Sequence, residues 1–423
     1  MNTATAHAFP TVEGFDPLSE EFLNNPVPMI QKAQEQAPVF YHEPLKMWVI
    51  THYSDICNAA RDYETFSSKA LGLIPPPDDL AHRVPPDAEK ELFVAIDPPE
   101  HTGSRMSVAP FFTARAVAKM EQPSREIANR LIDQFIAKGS CDFMYDYAYP
   151  FSLEVIMQLL GIPTERAADY RQWTADLFSV FSPKSMTKPM AEDELRERWT
   201  RLIECFEFFD ALAKDREANP RDDVLTKMMQ AKGPDGQPLV NRSRILRHIN
   251  ELVAAGNDTT PNLMGAMFQL LEENPDQWDD LRQHPELMSG AVEETLRRRG
   301  TSPGLFRITT RDVEMGGTTI PEGEIVWLLF TAGGLDAQKF PNPEKFDIRR
   351  ANAVEHLAFG HGRHMCLGNP LARLEIKVGM EEFFRRIPDA HIVKNQKLTY
   401  LPVLTVLALE KLMVEWDPKK VPA

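Results

Sequence analysis

Cysteine is scarce in this chain: the four residues among 423, Cys57, Cys141, Cys205 and Cys366, lie too far apart for a disulfide framework or a paired zinc signature. That usage suits a reducing compartment. Long apolar runs are missing too. Stretches such as Ile325 to Leu335 fall well short of a bilayer-spanning helix, and Met1 to Asn25 carries prolines and acids where a signal peptide or membrane anchor needs an apolar core. No Gly/Ser-rich linker or internal repeat divides the sequence, so one folding unit over 1–423 is expected despite the length. Positive charge is in deficit. With 47 Lys and Arg against 62 Asp and Glu, the net charge of −15 disfavours a nucleic-acid partner and suits a soluble cytoplasmic protein. Neither a Gly-x-Gly-x-x-Gly fingerprint after a strand pattern nor a clustered cysteine iron–sulfur motif is present. Electrons for any redox chemistry would come from a separate donor.

What the chain has in quantity is proline. Thirty-four prolines punctuate long helical patterns, and those at Pro75-Pro76-Pro77, Pro85-Pro86 and Pro98-Pro99 mark residues 67–99 as a long irregular segment. The coarse expectation is a mainly α protein with small β-sheets, whose short strands lie near Met47 to Thr51, Glu314 to Ile320, Ile325 to Leu329 and the C-terminal 390s to 410s.

From Ile245, apolar positions at Ile249, Leu252, Leu263, Met267, Leu270 and Leu271 keep a helical period for about seven turns, which predicts a long, buried, central helix. At its midpoint stands Ala255-Gly256-Asn257-Asp258-Thr259-Thr260-Pro261. Interior Gly and Pro cost roughly 1 and 3 kcal/mol against alanine, so a local distortion is expected. Pro261 has no amide for the Asn257 carbonyl, and the Thr259 hydroxyl can compete for the Ala255 carbonyl. Taken alone, this describes either a kinked structural helix or a pocket where water or dioxygen is held and protonated.

Cys366 sits in His356-Leu357-Ala358-Phe359-Gly360-His361-Gly362-Arg363-His364-Met365-Cys366-Leu367-Gly368-Asn369-Pro370. Gly360, Gly362 and Gly368 allow sharp turns that bring backbone amides to one sulfur. Asn369-Pro370 reads as the opening of a helix, whose positive end would lower the thiol pKa. An isolated cysteine in such a loop is either an inert buried thiol or a metal ligand. The run resembles the haem-binding loop of the cytochrome P-450 family, Phe-x-x-Gly-x-Arg/His-x-Cys-x-Gly, through Phe359, Gly362, His364, Cys366 and Gly368. It continues through Pro370-Leu371-Ala372-Arg373-Leu374-Glu375, as bacterial members do, and Ala255 to Thr260 is similar to that family's Ala/Gly-Gly-x-Asp/Glu-Thr-Thr motif. The likeness covers Pro38 to about Val406.

This resemblance implies a cytochrome P-450 fold, with haem b between the long central helix and the cysteine-loop helix and Cys366 as its thiolate axial ligand. It implies Asp258 and Thr259 as the acid and alcohol that relay protons to dioxygen. Four cationic groups are assigned to the two haem propionates: His101 and Arg105, four apart and so on one helix face, Arg307, and His364. Arg311 is expected to be solvated. Glu294 and Arg297 would pair with the Phe340 to Asp347 region as scaffold, and Gly333-Gly334-Leu335-Asp336, where relatives often have Ala-Asn-Arg-Asp, could loosen that connection. By family position, the substrate cavity is walled by Leu71 to Ile74, Phe178 to Phe181, Leu252, Ala255, Pro303 to Phe306 and Leu401 to Leu404. These nearly all apolar residues imply a small apolar organic substrate. A ferredoxin with its reductase, or a flavin reductase, would supply electrons to a monomeric monooxygenase by way of Arg363, Arg373 and Lys377. Peroxide-driven oxidation and a non-enzymatic haem-thiolate sensor are the alternatives.

Overall fold

The structure, a computed structural model, describes residues 9–85, 92–183, 190–233 and 235–421. The long periodic stretch forms one helix of 32 residues, Arg242–Glu273, called the central helix below. It starts where the Asn241 side chain, on an extended residue, accepts the Arg244 amide at 2.8 Å. Every residue from Thr260 to Leu271 is buried, as expected of a helix that runs through a core. Pro261 lies inside it.

The cysteine-loop helix, Asn369–Arg386, opens as predicted with Pro370 in its first turn. Aromatic side chains lock it to the central helix. Phe268 has its ring centre 5.9 Å from Phe383 and 5.5 Å from Phe384, while Phe143 stands edge-on to Phe268 at 5.3 Å and to Phe383 at 5.0 Å. Gly379 makes this closeness possible, since a Cβ there would lie 2.7 Å from Met264 Cε and 2.9 Å from Phe151 Cε1.

The main sheet has five strands in the order Val39–His42, Met47–Ile50, Ile325–Leu328, Leu305–Thr309 and Phe66–Ser67, with only the second and third parallel. Alternation along Leu305–Thr309 turns Phe306 onto Trp327 at 6.0 Å in one core and Arg307 to the opposite face. The expected strand Glu314 to Ile320 is instead a hairpin, Val313–Met315 with Thr318–Ile320, because Gly316 and Gly317 both take positive φ. The segment 67–99 is more regular than expected: Leu71–Leu73 pairs with Phe181–Pro183, and Asp78–Ala81 is a helical turn. Residues 86–91 of that segment, Pro86 included, lie outside the described residues.

Behind the cysteine loop, Arg297 and Glu294 form a fully buried pair at 2.7 Å. Arg297 also donates to the carbonyls of Gly334, Pro343 and Lys345. The connection at 333–336 is not loosened, since Asp336 accepts the amides of Tyr53 and Gln338 and contacts His52 at 3.2 Å. Removing one partner of a buried pair strands the other. Glu294→Leu is expected to lower unfolding free energy by about 3–5 kcal/mol, read as a shift in urea midpoint; a loss under about 1 kcal/mol removes the pair from the scaffold.

Candidate cofactor and active site

Gly360 and Gly362 both adopt φ +71°, which lets the loop fold back so that the Cys366 amide donates to the Phe359 carbonyl at 2.7 Å. A Cβ on Gly362 would meet the Ala60 carbonyl oxygen at 2.6 Å, so the helix Tyr53–Arg61 abuts the loop. Gly368 departs from expectation, with an ordinary negative φ of −77°. The amides of Gly368 and Asn369 do bond to the sulfur. Even so, the Cys366 thiol pKa is raised, contrary to the sequence reading, because burial outweighs those amides and the guanidinium groups of Arg105 and Arg373. Of the four cysteines only Cys366 is not fully buried.

The four predicted cationic groups converge beside this sulfur. His101, on the helix Glu100–Val108, has its ring centre 4.1 Å from that of His364, whose Nε2 is 3.0 Å from Ser68 Oγ. Burial, with Arg105 and Arg363 nearby, lowers the His101 pKa to about 4; burial, with Arg307, His101 and Arg105 nearby, holds His364 well below its ordinary range. Burial also lowers Arg307 to about 10. Among the described residues neither Arg105 nor Arg307 has a carboxylate ion partner, and the adjacent Asp97 is taken by the Ser67 hydroxyl and the Ser68 amide. The buried Nε2 of His101 has no hydrogen-bond partner among the described residues. Two guanidinium groups without an ion partner, beside two neutral imidazoles able to donate hydrogen bonds, fit a bulky dianion. No group of three or more His, Cys, Asp or Glu among the described residues could hold a bare metal ion, so Cys366 would ligate a metal carried within that dianion. Haem meets both requirements.

The central helix continues unbroken through Pro261, whose missing amide and ring are the source of any bend there. Side chains bond to four carbonyls in the turn before Pro261: the Thr259 hydroxyl to Ala255 at 2.8 Å, Ser152 to Gly256 at 3.0 Å, Asn262 to Asp258 at 2.6 Å, and Thr301 to Thr259 at 3.1 Å. The Asn257 Oδ1 is buried without a partner. Asp258 has its pKa raised to about 7 by burial, opposed by Arg171, whose guanidinium rests 4.8 Å from the Tyr145 ring. Thus Asp258 and Thr259 occupy that turn together.

Sequence reasoning missed Glu375 and Ser152. Glu375 is buried on the cysteine-loop helix, bonded to the Ser152 hydroxyl at 2.6 Å, and burial raises its pKa to about 8. It therefore links that helix to the turn before Pro261 through one hydroxyl. A signal existed: Glu375 falls midway between Leu371 and Gly379, four residues from each, on a face that is otherwise core.

Other expectations need correction. Leu71, Phe306 and Leu404 pack in one core with Trp327, while Pro303 and Leu404 line one small cavity and Leu73 another. Arg373 pairs with Glu293, and Lys377 with Glu381 at 3.0 Å, which leaves Arg363, over the Tyr63 ring at 4.7 Å, as the exposed cation of that trio without an ion pair among the described residues. Arg311 is exposed, as expected.

Because the folded pKa of Glu375 lies above its ordinary value of 4.5, the folded state retains a proton that the unfolded chain loses. Stability is expected to fall as pH rises from about 4.5 to about 8, by at most about 5 kcal/mol from this group. Glu375→Gln should flatten that slope in thermal unfolding; an unchanged slope shows that the carboxyl is ionised in the fold.

The family model for cytochrome P450 matches residues 24–388. The chain is 34% identical over 370 residues to a putative cytochrome P450, YjiB, of Bacillus subtilis, covering 87% of this chain and 89% of that one. It is 32% identical to a steroid C26-monooxygenase of Mycobacterium tuberculosis, over 86% of this chain and 94% of the relative. The solved P450 haem domain of Tepidiphilus thermophilus superposes with a TM-score of 0.86 at 27% identity, covering 97% of this chain and 98% of that one. With its cysteine loop, central helix and cationic groups arranged as described, the chain belongs to the cytochrome P450 family and is a monooxygenase.

Proposed function

We propose that the chain, acting as one unit, binds haem b through the Cys366 thiolate and hydroxylates a small, largely apolar organic molecule with electrons from a separate ferredoxin or flavin partner. One juxtaposition carries this reading: the partly buried Cys366 thiol beside Arg105, Arg307 and two imidazoles, just before a helix that Ser152 ties to the turn bearing Asp258 and Thr259. His101, Arg105, Arg307 and His364 would hold the propionates. Bound haem supplies the oxygen chemistry, in which two electrons and two protons convert dioxygen and a C–H bond into an alcohol and water.

The chain's own contribution is to place groups and protons. Asp258, near pH 7 in its titration, holds a proton at a carboxyl oxygen and regains it between turnovers. Thr259 offers a hydroxyl whose resting bond to the Ala255 carbonyl fixes its position one turn from Asn262. Burial of Arg307 and His101 keeps the propionate edge away from water. The Asp258–Thr259 pair favours reductive activation over peroxide-driven oxidation, which needs no proton relay.

Cys366→Ser is expected to abolish the reduced carbon-monoxide absorption band of a thiolate-ligated haem, and retention of the band would assign the ligand elsewhere. The proton-donating form of Asp258 is present below about pH 7 and is lost as pH rises through it. Product formation with NADH and a donor should therefore decline above that pH, and Asp258→Asn should lower it about 100-fold. A variant that keeps the parental rate and pH profile rules the relay out.

A further inference from the structure

Arg247, Glu251, Ala255 and Thr259 follow one another at four-residue spacing, so they share a face of the central helix. The first two are ionisable and buried. Arg247 Nε donates to Glu251 Oε1 at 3.0 Å, with side-chain exposures of 2% and 13%. Glu251 Oε2 accepts the Phe93 amide at 3.0 Å and lies 3.6 Å from His248 Nδ1. Both ring nitrogens of His248 are buried without a hydrogen-bond partner among the described residues.

This pair borders a small cavity of about 10 Å³ between the central helix, the helices Ala167–Val180 and Glu192–Ala218, and the segments at Leu73 and Leu92. Its walls include Leu73, Leu177 and Trp199, interrupted among the described residues by Arg247, Asn250 and Glu251. A buried ion pair in an apolar wall is a weak route to stability, because a well-packed apolar pair commonly does as well. Its position suggests recognition instead. The cavity has room for about one water-sized group, which excludes a carboxylate, a sugar or a phosphate. Arg247 takes Glu251 Oε1 and the Phe93 amide takes Oε2, so the carboxylate offers only its remaining lone pairs, to a compact donor. A hydroxyl meets both conditions: it can donate to a carboxylate with remaining lone pairs and accept from a neighbouring imidazole. Eight residues of helix place this point about 12 Å from Thr259.

We propose that Glu251, oriented by Arg247, is a specificity-determining residue that binds a hydroxyl group of the substrate, which is otherwise apolar and is oxidised about 12 Å from that hydroxyl. This rests on the reading of the Thr259 side of the helix as the substrate side. A linear primary alcohol of about ten carbons is about 12 Å long when extended, and its methyl ether is the matched probe that cannot donate. Each is titrated into the haem-loaded protein, with binding followed by calorimetry and by the haem Soret shift.

The alcohol is expected to bind about tenfold more tightly than the ether, and Glu251→Gln or His248→Phe to bring the two within about threefold while the ether's affinity holds. Equal affinities in the parent protein overturn the proposal, show the cavity to hold a structural water only, and leave the substrate side as assigned. So does an alcohol preference that both variants preserve. If both probes bind by calorimetry without moving the haem spectrum, the assignment of the substrate side is wrong and the proposal falls with it. Should Glu251→Gln fail to load haem, the parent ratio and His248→Phe decide.

Discussion

The structure turns on a charge imbalance that the chain does not resolve by itself. Arg307 comes from a buried strand, His101 and Arg105 from one short helix, and His364 from the cysteine loop; all face one place. The adjacent carboxylate, Asp97, bonds to Ser67 and Ser68 and reaches Arg307 and His101 only through its field. An anion that binds only the folded state stabilises it by mass action, so the order of this region and occupancy by a dianion are thermodynamically linked. The sheet exists, in this sense, to hold an arginine where the isolated protein would be better without one.

A second constraint acts on the opposite side. Pro261 lies inside a helix that is buried all round from Thr260 to Leu271, and the carbonyls of the turn before it are met by hydroxyl and amide side chains from three places in the chain: Thr259 and Asn262 on the helix itself, Ser152 and Thr301. Satisfying them is required, because an orphaned carbonyl at this depth would be costly. This stretch of the helix is thus a defined conformation, braced from the helix Tyr149–Leu160 and from the turn after Arg299.

Much of this was legible in the sequence. Periodicity located the central helix to within three residues at either end, and the local competition between Thr259 and the backbone followed from residue type alone. The cationic groups were found because their spacing and neighbours matched a known pattern. What escaped shares one cause, dependence on packing between distant segments. Glu375 and Ser152 are 223 residues apart, and nothing local marks either as the other's partner. The thiol pKa was misjudged in direction because amide and helix-end effects are local and visible, whereas burial is a property of the whole fold. Apolar residues assigned to the cavity pack with Trp327 at Leu71, Phe306 and Leu404, and composition does not say which side of a sheet a leucine faces.

Asp336 grips the first turn of the helix Tyr53–Arg61 through the Tyr53 amide, and the last turn of that helix meets Gly362 at the Ala60 carbonyl. The nine-residue helix is therefore a spacer of fixed length between a carboxylate near the middle of the C-terminal half and the turn that carries the thiol. Lengthening or shortening it by one residue would displace the sulfur without touching any residue near it. These three distant stretches are therefore mechanically one unit, in which a change of length at one calls for a matching change at the others.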